Sequence, residues 1–313
     1  MRYLAELKEN DGVLDHYLCA NKQVLKTKAG KTYYSLRLQD KSGTIDAKIW
    51  DLNDGINHFD EGDYIRIDGT VVLFQGGMQL NIRRVRKSSE GEYDPREYIP
   101  VSNRNIDEMY QELMEYVAGI ENKYLKQLVD SFFVEDKAFI KKFKEHTAAK
   151  TMHHNFSGGL LEHTLSVVDF CSFYAKQFPI IDKDLLFTAA LFHDVGKLEE
   201  LSSFPIVEYT DSGQLLGHIM ISVEWVGNKI REIIGFPEKL AYLVKHCIIS
   251  HHGELEYGSP KKPQIIEAFA LNFADNTDAK LKSISSMLEN DEAEEDWIGW
   301  QRALDSNIRR TRY

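Results

Sequence analysis

The chain has 313 residues, 38 Lys+Arg against 49 Asp+Glu, a formal net charge of −11 and 43% hydrophobic residues. That length suits two domains of about 100–200 residues each, and the acidic balance argues against a protein that coats nucleic acid with a positive field. Three well-separated cysteines, Cys19, Cys171 and Cys247, give neither a disulfide framework nor a thiolate zinc site. No run approaches the roughly 18 apolar residues of a membrane span, and the first residues lack the apolar core of a secretory signal. A cytoplasmic protein with no membrane partner is the expectation.

The charge is unevenly spread. Residues 1–88 carry 14 Lys+Arg and 12 Asp+Glu, whereas residues 89–313 carry 24 and 37. The composition changes at a polar stretch with Gly91 and Pro95 and no hydrophobic period, as a linker would show. The expected organisation is a domain over 1–88, a linker over 89–105, a second domain over 106–290 and a charged tail over 291–313.

Before the linker the period is two. Tyr34, Leu36 and Leu38 alternate with polar neighbours, as do Ile45, Ala47 and Ile49; Ile65, Ile67, Gly69, Val71 and Leu73 continue it, and Leu80 and Ile82 close it. Turn signals at Gly30, Ser42-Gly43, Gly62 and Gly76-Gly77 separate the runs. About five short strands in under 90 residues predict a small antiparallel barrel or sandwich. The segment Asp51 to Asp60, a short helix or a loop between the third and fourth strands, is what an OB-fold carries there. After the linker the period becomes helical, over Ile106–Val117, Leu160–Ala175, Asp184–Leu198, His218–Ile234, Glu238–His251 and Gln264–Leu288. Asp182 or Asp184 would cap the third of these, and Gly235-Phe236-Pro237 would stop the fourth. The fold class is therefore multidomain: a small β-barrel followed by an all-α domain.

Seven residues of the helical part need a joint explanation: His163, His193, Asp194, His218, His251, His252 and Asp275. Each alone has an ordinary reading, a hydrogen-bonded histidine or a capping aspartate. Context weighs against it, because Asp194 and Asp275 each end an unbroken apolar run, from Leu185 to Phe192 and from Phe269 to Ala274. A carboxylate there is buried and needs a partner or a metal. Imidazoles with carboxylates and no thiolate suit Mn, Fe, Co, Ni or Zn.

The order His163, His193-Asp194, Asp275, with the local run His193-Asp194-Val195-Gly196-Lys197, resembles the metal motif of the HD-domain phosphohydrolase superfamily over roughly residues 150–280. The resemblance implies one ion on His163, His193, Asp194 and Asp275, and a second on Asp194, His218, His251 and His252. Two ions about 3.5–4 Å apart activate water and clamp a phosphoryl oxygen, the equipment of phosphoester hydrolysis; Mn²⁺ is the first choice, and a single-ion site is the alternative. Asp194 is then a catalytic residue. Lys197, one helical turn beyond His193, is either a catalytic charge on the scissile phosphate or a solvated helix end. His153 and His154, ahead of Asn155-Phe156-Ser157-Gly158-Gly159, are substrate contacts or surface imidazoles. Glu162 is a support to its neighbour His163 or an exposed helix charge.

In the N-terminal part, aromatics with a basic lining would hold single-stranded nucleic acid. Tyr33, Arg37, Lys48, Trp50 and Arg83 are the candidates, against the reading that the aromatics fill the barrel core; Tyr34, Phe74, Lys26, Lys28, Lys31 and Arg84 are weaker ones. The segment Thr32–Trp50 resembles the anti-codon-binding type of OB-fold. The whole architecture, with Asn155–Thr164 at the junction, resembles the YhaM family of 3′→5′ exoribonucleases. That resemblance implies a divalent-metal hydrolase releasing nucleoside 5′-monophosphates from single-stranded RNA, with DNA as a further substrate and homo-oligomer formation open. Two rivals remain at this point. One is a nucleotide or cyclic-dinucleotide phosphohydrolase, and the other a non-catalytic nucleic-acid-binding protein with a structural metal.

Overall fold

Five strands, β1 (Gly12–Lys26), β2 (Thr32–Asp40), β3 (Gly43–Ile49), β4 (Tyr64–Phe74) and β5 (Gly77–Lys87), close into a barrel in the order β1-β2-β3-β5-β4. All neighbours are antiparallel except the β3–β5 pair, which is parallel and closes the sheet, the Greek-key arrangement of an OB-fold. The structure is a computed structural model and describes residues 1–74, 76–150, 156–290 and 296–312. The chain forms two compact units: Met1–Val101 with Ser203–Val207, and Ser102–Ser202 with Glu208–Tyr313.

The alternating residues do what the period requires. Leu36, Leu38, Ile45, Ala47, Ile49, Ile65, Ile67, Val71, Leu80 and Ile82 are buried together, with Tyr17, Cys19 and Phe59. β1 follows no clean alternation, because Tyr17, Leu18 and Cys19 are all buried and a bulge between Cys19 and Asn21 bends the strand between two partners. The stretch after Asp51 is a loop, held by Ile56 bridging Val85, with no helix. The segment expected to be a linker packs on the barrel over its first part. Tyr93 stacks on Tyr64 with ring centroids 4.0 Å apart, Tyr98 meets Tyr64 edge-on at 4.9 Å, and Gln39 donates to the Tyr98 carbonyl at 3.0 Å.

The second unit holds helices α1 (Ile106–Ala118), α2 (Lys123–Phe133), α3 (Lys137–Glu145), α4 (Gly159–Gln177), α5 (Lys183–Phe192), α6 (Lys197–Glu200), α7 (Asp211–Glu232), α8 (Glu238–Ser250) and α9 (Ile266–Asn290). Asn105, Asn122, Asp136, Asp182 and Thr210 cap five of them through side-chain acceptors. Asp184 instead accepts from the backbone amides of Glu121 and Asn122. Every residue of α5 from Leu185 to Phe192 is buried, the mark of a central helix, and α4, α8 and α9 surround it. The expected single helix Asp184–Leu198 ends instead at Phe192; a turn over His193–Gly196 and the short α6 follow. α7 starts seven residues before His218 and is broken at Gly217, whose φ is 73°. The region expected to be a charged tail carries a two-stranded hairpin, β6 (Trp297–Gln301) with β7 (Ser306–Arg309). Among the described residues no helix is long and apolar enough to cross a membrane.

Candidate metal centre

The breaks in these helices put the imidazoles at one place. His163 sits in the first turns of α4. His193 and Asp194 form the turn after α5, and Gly196 lets that turn press on α7: a Cβ there would lie 2.1 Å from the His218 carbonyl oxygen. Gly196 also donates to Ser222 Oγ at 2.8 Å. At Gly217 the backbone turns so that His218 N reaches Glu200 Oε1 at 2.9 Å. His251 and His252 follow α8, where Asn272 Nδ2 donates to the His251 carbonyl at 2.7 Å. Asp275 and Asp278 lie three residues apart on one face of α9.

Asp194 is at the middle, and its two oxygens face different neighbours. Oδ2 lies 3.3 Å from His163 Nε2 and 3.4 Å from His193 Nε2. Oδ1 lies 3.4 Å from His218 Nε2 and 3.7 Å from His251 Nε2. Asp275 Oδ1 joins the first group at 3.3 Å from His163 Nε2, and the His252 ring joins the second, 5.2 Å from the His218 ring. The donor atoms of His163, His193 and Asp275 lie within 4.8 Å of one another, as do those of His218, His251 and His252.

Nδ1 of His163, His193, His218 and His251 is tied down. His163 Nδ1 meets Asp278 Oδ2 at 2.7 Å, and Ser166 Oγ donates to the other oxygen of Asp278. His193 Nδ1 lies 2.8 Å from the Ala190 carbonyl, His251 Nδ1 2.7 Å from the Ile248 carbonyl, and His218 Nδ1 2.9 Å from Glu200 Oε1. Carbonyl and carboxylate partners hold a proton on Nδ1 and turn Nε2 inward, the usual support of metal-binding histidines. Asp194 Oδ1, His218 Nε2 and His251 Nε2 are buried and have no hydrogen-bond partner among the described residues. A buried carboxylate oxygen facing two unsatisfied imidazole nitrogens is costly unless a cation lies between them. The residues present therefore fit a divalent ion.

Electrostatics agree with a cation site. Burial works against a charged Asp194, but Lys197 and His193 hold its carboxyl well below the usual carboxylate range. Asp275 is likewise held low against burial, by His163 above all. Burial opposes a charged His163, yet Asp194, Asp275 and Asp278 raise its pKa well above 6.5. Burial, with the nearby His252 and His193, pushes His251 well down, so its ring is neutral. Lys197 Nζ lies 2.6 Å from Asp194 Oδ2. Despite its burial, the Asp194 charge keeps it protonated.

Sequence reasoning missed Asp278 and Glu200, which orient His163 and His218. Asp278 had a signal, its place one turn after Asp275 on an apolar helix; Glu200 had none beyond being acidic near the His-Asp pair. Glu162 is buried and bonded to Ser102 Oγ at 2.6 Å and Lys282 Nζ at 2.8 Å. His153 and His154 lie outside the described residues.

On the barrel, Tyr33 stacks on Trp50 with centroids 4.7 Å apart and planes 26° from parallel, and Trp50 is 41% exposed. Arg37 and Lys48 share that outward surface of β2 and β3; Arg37 faces Asp46 across the ladder, and Lys48 Nζ lies 2.6 Å from Ser35 Oγ. Tyr34 instead packs edge-on against Phe59 of the core. Arg83 lies on β5 beside Asp68 of β4, and Trp50 Nε1 donates to Asn81 Oδ1 of the same strand at 3.0 Å.

Against known proteins, the HD domain matches residues 160–280 and an OB-fold nucleic acid binding domain matches residues 21–87. A curated relative, the 3′-5′ exoribonuclease YhaM of a Geobacillus species, is 33% identical over 266 residues, spanning 83% of this chain and 80% of that one. The chain belongs to the YhaM family of 3′-5′ exoribonucleases. With the HD domain it is a hydrolase acting on phosphodiester bonds, and its barrel is an OB-fold nucleic acid binding domain. A solved structure, the second OB-fold domain of replication protein A from Methanococcus maripaludis, is 19% identical over 29% of this chain and 96% of that one, with a TM-score of 0.24.

Proposed function

We propose that the protein is a metal-dependent 3′→5′ exonuclease of single-stranded RNA, with DNA as a second substrate, releasing nucleoside 5′-monophosphates. One observation supports this above others: Asp194 offers one oxygen to His163 and His193 and the other to His218 and His251. His163, His193, Asp194 and Asp275 would hold one divalent ion, and Asp194, His218, His251 and His252 a second. Ions of this kind supply Lewis acidity toward a phosphoryl oxygen and water activation at neutral pH. The mixed nitrogen and oxygen donor set admits Mn, Co, Fe, Ni or Zn, and Mn²⁺ is our first choice among them.

The chain's own residues do the rest. Asp278 and Glu200 keep two of the imidazoles oriented. Lys197, whose side chain is 18% exposed, presents a fixed positive charge to a phosphate oxygen. The Tyr33–Trp50 pair is a platform on which bases stack, with Arg37 and Lys48 beside it for the backbone. The three cysteines are all free and buried, which suits a reducing cytoplasm.

The test is incubation of 5′-labelled single-stranded RNA with the protein and Mn²⁺. A descending ladder is expected, whereas immediate release of labelled mononucleotide would overturn the polarity. Asp194→Ala should abolish turnover while strand binding persists; near-normal activity of that variant would sink the assignment of the centre.

A further inference from the structure

A groove of about 1,020 Å³ runs over the outer face of β1, β4 and β5 and under the loop around Gly55. Four arginines line it, Arg66, Arg83, Arg84 and Arg86, against two acids, Asp54 and Asp68. It is a local excess of positive charge on a chain whose net charge is −11. We propose that this groove is a second contact site for the phosphodiester backbone of a nucleic-acid strand, separate from the Tyr33–Trp50 surface. The inference rests on the nucleic-acid reading of the barrel given above.

Three features of the fold carry it. Strict alternation along β5 would send one of Arg83 and Arg84 into the core, yet both are exposed. The ladder shows why: Asp68 pairs with Arg84 and Gly69 with Ile82, so Arg83 is the extra residue of a bulge. Gly69 permits it, since a Cβ there would lie 2.6 Å from the Asn81 carbonyl oxygen. Bulges of this kind re-aim side chains.

Secondly, Arg66 and Arg86 are direct cross-strand partners, and like charges placed opposite each other destabilise a sheet. A bound anion would reverse the sign of that effect. Thirdly, the acids neutralise only part of the set. Asp68 takes Arg83 at 2.9 Å, and Glu92 takes Arg86 through both oxygens at 2.7 Å. Arg66 and Arg84 have no hydrogen bond or ion pair to another side chain among the described residues. Arginine forks match phosphate oxygens in pairs.

None of the residues lining the groove is aromatic, so it grips backbone and leaves bases unread; its contribution is independent of sequence and dependent on salt. Neither Tyr33 nor Trp50 lines the groove, although Trp50 reaches β5 through a bond from its Nε1 to Asn81 Oδ1 at 3.0 Å.

The test measures binding of a fluorescein-labelled 20-nucleotide single-stranded RNA to the full chain by anisotropy, in EDTA to prevent hydrolysis, between 50 and 300 mM KCl. Removing two phosphate contacts with Arg66→Gln plus Arg84→Gln should weaken binding on the order of tenfold at 50 mM and flatten the slope of log K against log salt by about 1.4. Asp68→Asn, which releases Arg83, should tighten binding about two- to threefold, an effect a misfolded variant does not mimic. The proposal is overturned if the arginine pair leaves affinity and slope unchanged, or if Asp68→Asn does not tighten. Losses confined to Tyr33→Ala plus Trp50→Ala would refute the groove and leave the nucleic-acid reading standing. A wild-type chain that binds no strand would refute both.

Discussion

Asp194 can serve two groups of imidazoles because a carboxylate has two oxygens, and its burial makes each unsatisfied oxygen expensive. The residues behind the ligands matter for the same reason. Asp278 fixes the ring of His163 by a bond to Nδ1. Asp278→Asn should lower Mn²⁺ affinity by about 10- to 100-fold, measured by titration calorimetry; unchanged affinity would mean that His163 is oriented by packing alone. Proton linkage gives a second expectation. With its pKa raised above 6.5, His163 in the metal-free protein stabilises the fold through its aspartate pairs at pH below about 6.5, and that stabilisation is lost as pH rises through the raised value. A cation needs the same nitrogen bare, so binding expels the proton and strengthens as pH rises. The rise in Tm on adding Mn²⁺ should therefore be larger at pH 8 than at pH 6; the reverse order would contradict the ligand role of His163.

At the scale of elements, the centre is built where helices stop. The α5 run is long and apolar enough to read as continuing through Leu198, and the period carries no notice of its end. In the turn that follows, α7 approaches so closely that its backbone occupies the space where a Cβ on Gly196 would go. Gly196→Ala has no backbone penalty, since its φ of −63° suits any residue. The overlap should still cost about 1–3 kcal/mol in chemical denaturation, with loss of metal affinity because His218 must shift; wild-type stability would show that α7 yields freely. Helices α2 and α3 are not among the predicted helices, although their buried residues recur at helical spacing, at Leu125, Leu128, Val129, Phe132 and Phe133 and at Phe139 and Phe143. The strand β1 was illegible for a physical reason. A bulged strand shared by two neighbours buries three residues in succession, and period two is lost.

At the scale of the whole molecule, the acidic charge lies after residue 88, in the part that carries the candidate metal centre, while the barrel carries the slight basic excess. Strand binding then depends on local surfaces and stacking rather than on a global field. Tyr33→Ala with Trp50→Ala should weaken RNA binding by about 1–3 kcal/mol for each base lost from the platform, and the loss should fall in KM for RNA rather than in kcat. A fall in kcat alone would remove the platform from the binding role. From the sequence alone came the two architectures, because periods of 2.0 and 3.6 are local properties of the backbone. The seven metal-centre candidates also came from it, because buried carboxylates at the ends of apolar runs demand an explanation. Only the tertiary structure decided which Asp194 oxygen faces which histidines, that Asp278 and Glu200 stand behind them, and that Arg83 is the extra residue of a bulge beside Asp68. Those facts depend on where one segment's backbone lets another approach, and no local pattern in the chain encodes that.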